Sequence, residues 1–274
     1  MNGQASVPSA SPSIAAFIQR DRTRAFLRAA FPRRRGRVIV ARAAPSFEAA
    51  FRESLVDAAI VDVGAIGSTA GSSDDAWLAV SLAREFPSVP FFAVLPLRAA
   101  DAPVLAQCAS NEFADVLVDG VDDGAARELV FRQSFSSRFA AALGAPPPAL
   151  KLVSPIQRRA WYYIVAQAGR PVRTEALAGF LKVTREHLSR TFADSGAPNL
   201  KRVIDLVRLI AAAELAKNPG YDVRDVARVL GFASSSHLST TAQRIVGTKP
   251  ASLTRLRTID LVERFVRGHG RSRA

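Results

Sequence analysis

The stretch from Gly231 to Pro250, GFASSSHLSTTAQRIVGTKP, decides the fold of the C-terminal half of the chain. It follows a segment, Asp222–Leu230, whose apolar residues recur at helical spacing. Gly231 can adopt a positive φ and is therefore expected to end that helix, with Phe232 packed behind the turn. A second amphipathic segment, His237–Val246, begins after a run of serines that can cap a helix. The pattern predicts two helices joined by a tight turn.

The outward side of the second helix carries small polar side chains rather than a row of cations. Ser, Thr and Gln can bond to base edges or phosphates, and the Thr methyl can contact the thymine methyl. This chemistry fits the second helix of a helix-turn-helix, which enters the major groove of DNA. The candidate contacts are Ser235, Ser236, His237, Thr240, Thr241 and Arg244.

The same pattern recurs upstream. Thr174–Lys182 is a short amphipathic segment that opens on a Thr, and Arg185–Phe192 follows it. Both second helices contain His-Leu-Ser, at His187–Ser189 and at His237–Ser239. An Ala- and Leu-rich helix, Leu200–Lys217, is long enough to join the two units rigidly. The candidate DNA contacts of this first unit are Thr184, Arg185, Glu186, His187 and Arg190.

The charge distribution supports a polyanionic partner for the C-terminal half. The chain has 274 residues and a net charge of +13. Residues 1–150 hold 15 Lys and Arg against 15 Asp and Glu, whereas the remainder holds 22 against 9. The whole excess of positive charge therefore lies beyond the Pro-rich stretch Gly144–Ala149, as expected for a basic domain tethered to a neutral one.

The N-terminal half alternates short apolar runs with longer amphipathic ones, which indicates a parallel sheet built from βα repeats. Five strands and five helices predict a flavodoxin-like (βα)5 fold, so the chain is α/β followed by all-α. The predicted strands are Ser13–Gln19, Arg37–Arg42, Ala58–Val63, Pro90–Leu95 and Asp115–Val118. The predicted helices are Thr23–Ala30, Ser46–Leu55, Asp75–Phe86, Ala102–Phe113 and Asp122–Ala142.

Asp62 closes the third predicted strand, and the order of elements around it resembles the receiver domains of two-component response regulators. That resemblance implies that Asp62 is a phosphoacceptor. Phosphoryl transfer also needs Mg²⁺ ligands and groups that stabilise the phosphoryl oxygens. The acidic pair, the Thr or Ser and the Lys that receivers use are replaced by Gln19-Arg20-Asp21, Leu95-Pro96 and Asp119-Gly120. The resemblance is therefore to a degenerate receiver, in which Asp62 turns the chain at a strand end.

The C-terminal half resembles the DNA-binding domain of the AraC/XylS family of transcription regulators, which has two helix-turn-helix units joined by a central helix. The resemblance covers residues 154–257. It is carried by Leu188–Phe192, Arg208-Leu209 with Ala212 and Leu215, Val226-Ala227, Gly231-Phe232, Leu238-Ser239 and Gly247–Pro250. The second unit departs from the family at Leu238, Thr240, Ala242 and Leu253–Arg255. We therefore expect the first recognition helix to supply most of the specificity and the second to bind more weakly or to read phosphate and shape.

The expected organisation is a disordered tail (residues 1–12), a receiver-like domain (13–143), a Pro-rich linker (144–153), the double helix-turn-helix domain (154–262) and a disordered basic tail (263–274). Arg208, on the joining helix, is expected to be a structural ion-pair partner. Trp161 is assigned to the core of the first small helical bundle.

Enzymatic function is not expected. The sequence shows no nucleophile and base arrangement and no phosphate loop. With one cysteine and three scattered histidines, it predicts neither a metal site nor a cofactor. Cys108 lies in the apolar phase of a helix and is interpreted as a small core residue. No secretion signal or apolar run of about 18 residues is present, so the expected location is the cytoplasm.

The predicted function is a sequence-specific regulator that places two recognition helices in successive major-groove segments. The N-terminal domain is expected to act without phosphorylation, in homodimerisation, ligand input or contact with RNA polymerase or another regulatory protein. One alternative is an architectural DNA-binding protein with little sequence preference. The other is a response regulator controlled by phosphorylation of Asp62.

Overall fold

The first of two units is a five-stranded parallel sheet with helices on both faces. The computed structural model describes residues 11–32, 36–64, 66, 73–194 and 196–271. This α/β unit comprises residues 11–138 and Asn218–Asp225, and the helical unit comprises residues 139–217 and 226–271. The expectation of a disordered N-terminal tail falls mostly on residues 1–10, which lie outside the described residues.

The order of the strands in the sheet is β2-β1-β3-β4-β5, and every neighbouring pair is parallel. This arrangement confirms the predicted flavodoxin-like fold class. The strands are β1 (Ser13–Phe17), β2 (Arg37–Ala41), β3 (Ala58–Asp62), β4 (Phe91–Leu95) and β5 (Asp115–Val118). The helices are α1 (Asp21–Ala30), α2 (Ala44–Glu53), α3 (Ser73–Glu85), α4 (Ala102–Ser110) and α5 (Ala126–Gln133).

Apolar side chains cover both faces of the central strands, which explains why these strands read as continuous apolar runs in the sequence. On one face, Phe26 and Leu27 of α1 and Val130 of α5 pack with Ile14, Ile60 and other buried residues of the sheet. A cluster of phenylalanine rings forms a second core. The ring centroids of Phe51 and Phe86 are 4.5 Å apart, and those of Phe51 and Phe91 are 5.7 Å apart.

The sequence predicted one continuous helix over Asp122–Ala142. That prediction is wrong, because the structure has two helices there. The chain is helical over α5 and again over α6 (Phe135–Leu143), with Ser134 extended between them at φ −54° and ψ 151°. The cause is Asp57, a fully buried carboxylate at the start of β3. It accepts hydrogen bonds from the Ser13 amide and the Ser136 hydroxyl, and its carbonyl accepts from the Phe135 amide at 2.8 Å.

The segment Asn218–Asp225 belongs to the α/β unit, although it lies far along the chain. The Tyr221 ring packs edge-on against Phe86 with centroids 4.9 Å apart. Arg52 Nη1 donates to Asp225 Oδ2 at 2.7 Å, and Asn218 bonds to both the amide and the hydroxyl of Ser88 at 2.8 Å. The predicted joining helix, Leu200–Lys217, is followed directly by this segment.

The helical unit is built around one long helix, α10 (Leu200–Leu215). The side chain of Asn199 caps it by accepting from the Arg202 amide at 2.9 Å. Twelve of its residues are buried, so α10 is the centre of the core rather than an exposed connector. The other helices of this half are α7 (Pro155–Ala166), α8 (Thr174–Leu181), α9 (Arg185–Asp194), α11 (Val223–Val229), α12 (Ser235–Val246) and α13 (Thr258–Arg271).

The Pro-rich stretch is packed into the helical unit instead of forming a free linker. Leu150 is fully buried in a short 3₁₀ turn, and Leu152 is buried beside it. The indole N–H of Trp161 donates to the carbonyl of Gly144 at 3.0 Å. Trp161 is fully buried, as expected for a core residue.

The C-terminal residues differ most from expectation. Residues 263–271 of the stretch interpreted as a disordered basic tail form the larger part of α13, and residues 272–274 lie outside the described residues. Leu261, Val262 and Phe265 are buried, because the helix has one apolar side that packs against α10 and α12. The helical spacing of the apolar residues in this stretch was overlooked because arginine is so frequent there.

Candidate nucleic-acid interface

The two predicted helix-turn-helix units use the same turn. In the first, the amide of Lys182 donates to the carbonyl of Gly179 and the amide of Val183 to that of Ala178. In the second, the amide of Gly231 donates to Arg228 and that of Phe232 to Ala227. Both pairs of bonds have the spacing of a Schellman motif, which satisfies the last carbonyls of a helix and turns the chain sharply. The two helix pairs that contain His-Leu-Ser thus share one turn geometry.

The residue at the centre of each turn is left-handed. Gly231 has φ +66°, and a Cβ built on it would lie 2.6 Å from Cγ of Pro171, so only glycine fits there. Lys182 occupies the equivalent place with φ 57°, a conformation that costs a residue with a Cβ roughly 1–2 kcal/mol. The first turn therefore carries strain that the second avoids.

Lys182→Gly is expected to raise the free energy of unfolding of the helical unit by about 0.5–1 kcal/mol. The substitution removes the left-handed strain, and the greater freedom of glycine in the unfolded chain offsets part of the gain. Urea unfolding followed by circular dichroism measures the change. Lys182→Ala is the matched control, since it removes the same charge and keeps the Cβ. An equal gain in both variants would show that charge and not backbone strain is responsible.

Helix α9, the first predicted recognition helix, presents a continuous polar side. The amide of His187 donates to Oγ1 of Thr184 at 3.1 Å, so Thr184 caps the helix. Leu188 and Phe192 are fully buried and fix the opposite side. The exposed residues are Arg185, Glu186, His187, Ser189 and Arg190. Ser189 is absent from the sequence-based candidates, although its position three residues after Glu186 places it on the same side.

Arg185 is held at the start of this polar side. Its Nη1 lies 2.8 Å from Oε1 of Glu175 in α8, and both side chains are 60% exposed. The guanidinium and hydrogen bonds lower the pKa of Glu175 below its ordinary value, with the helix-start backbone hydrogen bond contributing most. Because the pair is exposed, the interaction is weak and leaves Arg185 free to exchange partners.

Gln157 positions α9 from the first helix of the unit. Ser154 and Gln157 cap α7 reciprocally, and Nε2 of the buried Gln157 donates to the carbonyl of Thr191 at 2.9 Å. The amide of Gln157 thus joins the start of one helix to the end of another. The orientation of the recognition helix is set by buried polar contacts as well as by Leu188 and Phe192.

Helix α12, the second predicted recognition helix, is capped by Ser234, whose hydroxyl accepts from the His237 amide at 3.0 Å. Ser236, His237 and Thr240 are exposed and Ser235 is half-buried. Thr241 is 2% exposed, so the prediction that it lies on the outward side is wrong. Thr241 lies on the buried side of α12 with Leu238 and Ile245. It was included among the candidate DNA contacts because it carries a hydroxyl group. Gln243 is exposed at helical spacing from Ser236 and Thr240 and was missed.

Arg244 is tethered within the helical unit. Its Nη2 donates to Oδ2 of Asp205 in α10 at 2.7 Å, and Asp205 is 6% exposed. Half of the arginine side chain stays exposed. Arg244 therefore holds α12 against α10 in addition to presenting charge at the surface.

Arg208 supports the second turn. Its guanidinium carbon lies 3.9 Å from the centre of the Phe232 ring, and Nη2 donates to the carbonyl of Leu230 at 3.0 Å. Burial lowers the pKa of Arg208. The arginine bonds to a backbone carbonyl and a ring rather than to a carboxylate. The expected structural role fits this geometry, and the expected ion pair is replaced by a cation–π contact.

A basic groove lies beside α12. It has a volume of about 250 Å³ and is lined by residues of α12 and α13, among them Arg244, Arg264 and Arg267. Arg267 pairs with Glu263 at 3.1 Å on the solvent side, where such a pair is weak. The groove extends the positive surface of the second unit from the recognition helix to α13.

The carboxyl edge of the sheet in the α/β unit holds Asp62, which is fully buried. Nε of Arg20 donates to its Oδ1 at 2.7 Å, and the Arg20 amide donates to its Oδ2 at 2.9 Å. Nη1 of Arg20 reaches Oδ2 of Asp119 at 2.8 Å, and Arg22 binds the other oxygen of Asp119 at 3.1 Å. One guanidinium thus joins the carboxylates that end β3 and β5. In a receiver the cation at this point is Mg²⁺. In this chain the cation that contacts Asp62 and Asp119 is the guanidinium of Arg20.

Among the described residues, no group of three or more His, Cys, Asp or Glu side chains is arranged to hold a metal ion. Within the same residues, no helix has the length and apolar content needed to cross a membrane.

Cys108 is expected to be unreactive in the folded protein. It is buried, and burial raises the pKa of its thiol to about 11 from an ordinary value of 9.0. The nucleophilic thiolate is thereby reduced about a hundredfold near neutral pH, before access is considered. Alkylation by iodoacetamide at neutral pH, followed by mass spectrometry, should be slow in buffer and fast in denaturing urea. Equal rates in the two conditions would contradict a core role.

Comparison with known proteins identifies a domain in the C-terminal half. A family model described as a helix-turn-helix domain matches residues 177–255. No curated protein matches the sequence. Among solved structures, full-length FixJ from B. japonicum is similar at 12% identity and a TM-score of 0.35, with 76% of this chain and 98% of that chain covered. The chain therefore contains a helix-turn-helix domain, and its matched region runs from α8 to the end of the second unit.

Proposed function

We propose that the protein is a sequence-specific DNA-binding transcription regulator of the AraC/XylS type. In this proposal α9 and α12 enter successive major-groove segments about one helical turn apart. The observation that carries it is the repeated unit: two helix pairs with the same Schellman turn, each followed by a capped helix with an exposed polar side. The match of residues 177–255 to a helix-turn-helix family supports the same function.

The first recognition helix is proposed to supply most of the specificity. Arg185, Glu186, His187 and Arg190 are exposed on one side of α9, and none of them is tied into the core. In α12 the burial of Thr241 and the tether from Arg244 to Asp205 leave Ser236, His237, Thr240 and Gln243 as exposed groups. These neutral residues suit contacts to phosphate or to a few base edges.

Arg190→Ala is expected to weaken operator binding by about 1–3 kcal/mol, because an arginine is the commonest source of a specific base contact. Arg244→Ala is expected to lose less affinity but to lower stability, since it leaves Asp205 buried without its cation. Arg132→Ala, an exposed arginine of the α/β unit, is the matched control. Fluorescence anisotropy with a labelled operator measures all three. A larger loss of affinity from Arg244→Ala in folded protein would reverse the ranking of the two helices.

The α/β unit is proposed to act as an input domain without phosphorylation, either in homodimerisation or in contact with a ligand, RNA polymerase or another regulatory protein. The ion pairs of Arg20 with Asp62 and Asp119 support this view, because both carboxylates are already neutralised. Incubation with acetyl phosphate and Mg²⁺ should add no mass to the protein. An adduct that Asp62→Asn abolishes would establish a phosphorylation-controlled regulator instead. The proposal includes no catalytic activity or cofactor and places the protein in the cytoplasm.

Selection of genomic DNA fragments by the purified full-length protein tests the main proposal. The expected result is one motif with elements about one helical turn apart. A C-terminal fragment, residues 139–274, should select the same motif once, and a doubled site with the full chain would show dimerisation. Uniform binding without a motif and with a steep dependence on salt would instead assign the protein to the architectural class.

A further inference from the structure

A cavity of about 460 Å³ opens at the edge of the sheet in the α/β unit. It lies between α1 and β2, the strand at one end of the sheet order. Val38, Val40 and Arg42 alternate along the chain and line it from the strand side. Among the strands that the structure describes, β2 lies at the edge of the sheet, and its residue Val40 is 48% exposed. The volume is within the range of small-molecule sites.

The lining combines an apolar floor with three cations. Leu27 and Phe31 of the α1 region are buried at the bottom. Arg24, Arg28 and Arg42 stand around it. Arg24 pairs at 3.0 Å with Asp21, whose carboxylate is 92% exposed. Within the described residues, the side chains of Arg28 and Arg42 form no ion pair or hydrogen bond. An apolar cavity with a few convergent polar groups is the usual form of a ligand site, and here those groups select an anion.

We propose that this cavity binds a small organic carboxylate with an apolar body. The carboxylate would lie between the guanidinium groups of Arg28 and Arg42, whose planar forks match its two oxygens. The apolar body would pack on Phe31, Val38 and Val40. Such a ligand is the effector of the input domain if the proposed regulatory function holds, whereas binding itself does not depend on that function.

Two other possible occupants of the cavity are less compatible with the positive charge of its three arginines. A second copy of the chain related by a two-fold axis would place the same three arginines opposite one another, which is unfavourable. Residues 1–10 of the chain contain no Asp or Glu, so they offer no carboxylate to these cations. A carboxylate ligand satisfies both the cations and the apolar floor.

Calorimetric titration of the full-length protein with 2-naphthoate and with decanoate, in the absence of DNA, tests the site. At least one acid should bind with a dissociation constant of about a millimolar or lower, and the neutral 2-naphthamide and inorganic phosphate should bind at least about tenfold more weakly. Arg28→Ala with Arg42→Ala should lower the affinity about tenfold or more. Arg37→Ala is the matched control, because Arg37 is exposed on the same strand but alternates to the other side.

The results that would overturn the proposal are distinct. Absence of binding by both acids, or equal binding to the double variant with an unchanged melting curve, would remove the site. Equal affinity for 2-naphthamide would show an apolar cavity without anion selectivity. A wild-type dimer that the double variant dissociates, measured by sedimentation, would make this surface an interface between copies instead. DNA selection is measured separately. Ligand binding without a selected DNA motif would therefore contradict the proposed regulatory function and leave the proposed ligand site standing.

Discussion

Replacing Arg20 with Ala is expected to lower the free energy of unfolding of the α/β unit by about 3–5 kcal/mol, the usual cost of leaving a buried charge unpaired. Two carboxylates depend on this one guanidinium. Asp62 and Asp119 are 0% and 1% exposed in their side chains, and Arg20 lies 2.7 Å and 2.8 Å from them. Without it, the buried carboxylates at the ends of β3 and β5 lose the cation they share, and Asp119 keeps the exposed Arg22 as its other ion-pair partner. Urea unfolding followed by circular dichroism measures the loss.

Arg22→Ala is the matched control. Arg22 binds the same Asp119 at 3.1 Å, but its side chain is 69% exposed, so its removal should cost less than about 1 kcal/mol. Asp62→Asn in the Arg20→Ala background removes one of the unpaired charges and should restore part of the stability. If Arg20→Ala and Arg22→Ala had equal and small effects, the guanidinium would not be what holds this edge of the sheet together.

The regular elements could be predicted because their signals are local. The strands of the sheet are short apolar runs, and the structure ends each one within two residues of its predicted limits, as for Ser13–Phe17 against Ser13–Gln19. The turn between α11 and α12 was predicted from Gly231, which is left-handed in the structure and directly follows a helix. In both cases neighbouring residues determine the conformation.

The missed features depend on contacts between residues far apart in the sequence. The break at Ser134 is imposed by Asp57, and the segment containing Tyr221 is placed by Arg52, Phe86 and Ser88. No local pattern encodes these pairs. The role of Arg20 was missed for the same reason. Its partners, Asp62 and Asp119, lie at the ends of other strands and far from it in the sequence.

The candidate interface shows the same division. The exposed side of α9 follows from the spacing of Leu188 and Phe192, which is local. Thr241 was misplaced because a hydroxyl residue can be either buried or exposed, and only the packing of α12 decides between them. Arg244 has the right helical phase for DNA but also binds Asp205, a contact made across the unit.

Phe265→Ala is expected to lower the free energy of unfolding of the helical unit by about 3–5 kcal/mol, the usual cost of removing a phenylalanine ring from a core. The ring is fully buried in α13, and the guanidinium carbon of Arg202 lies 5.2 Å from its centre. Burial lowers the pKa of Arg202, with the charge of Arg244 acting in the same direction. Loss of the ring therefore also removes the cation–π contact of the half-buried Arg202 on α10. Thermal melting and urea unfolding of the full chain measure the effect.

Arg264→Ala separates the packing of α13 from its charge. Arg264 is exposed on the same helix and lines the groove beside α12, so its loss should leave the melting temperature nearly unchanged. If Arg264 contacts a phosphate, the variant should weaken DNA binding uniformly across sequences and reduce the salt slope by about one. Phe265→Ala should instead lower affinity only where the unit begins to unfold. A stable Phe265→Ala variant with a reduced salt slope would return this segment to the disordered basic arm that its composition suggests, because charge alone would then explain its contribution.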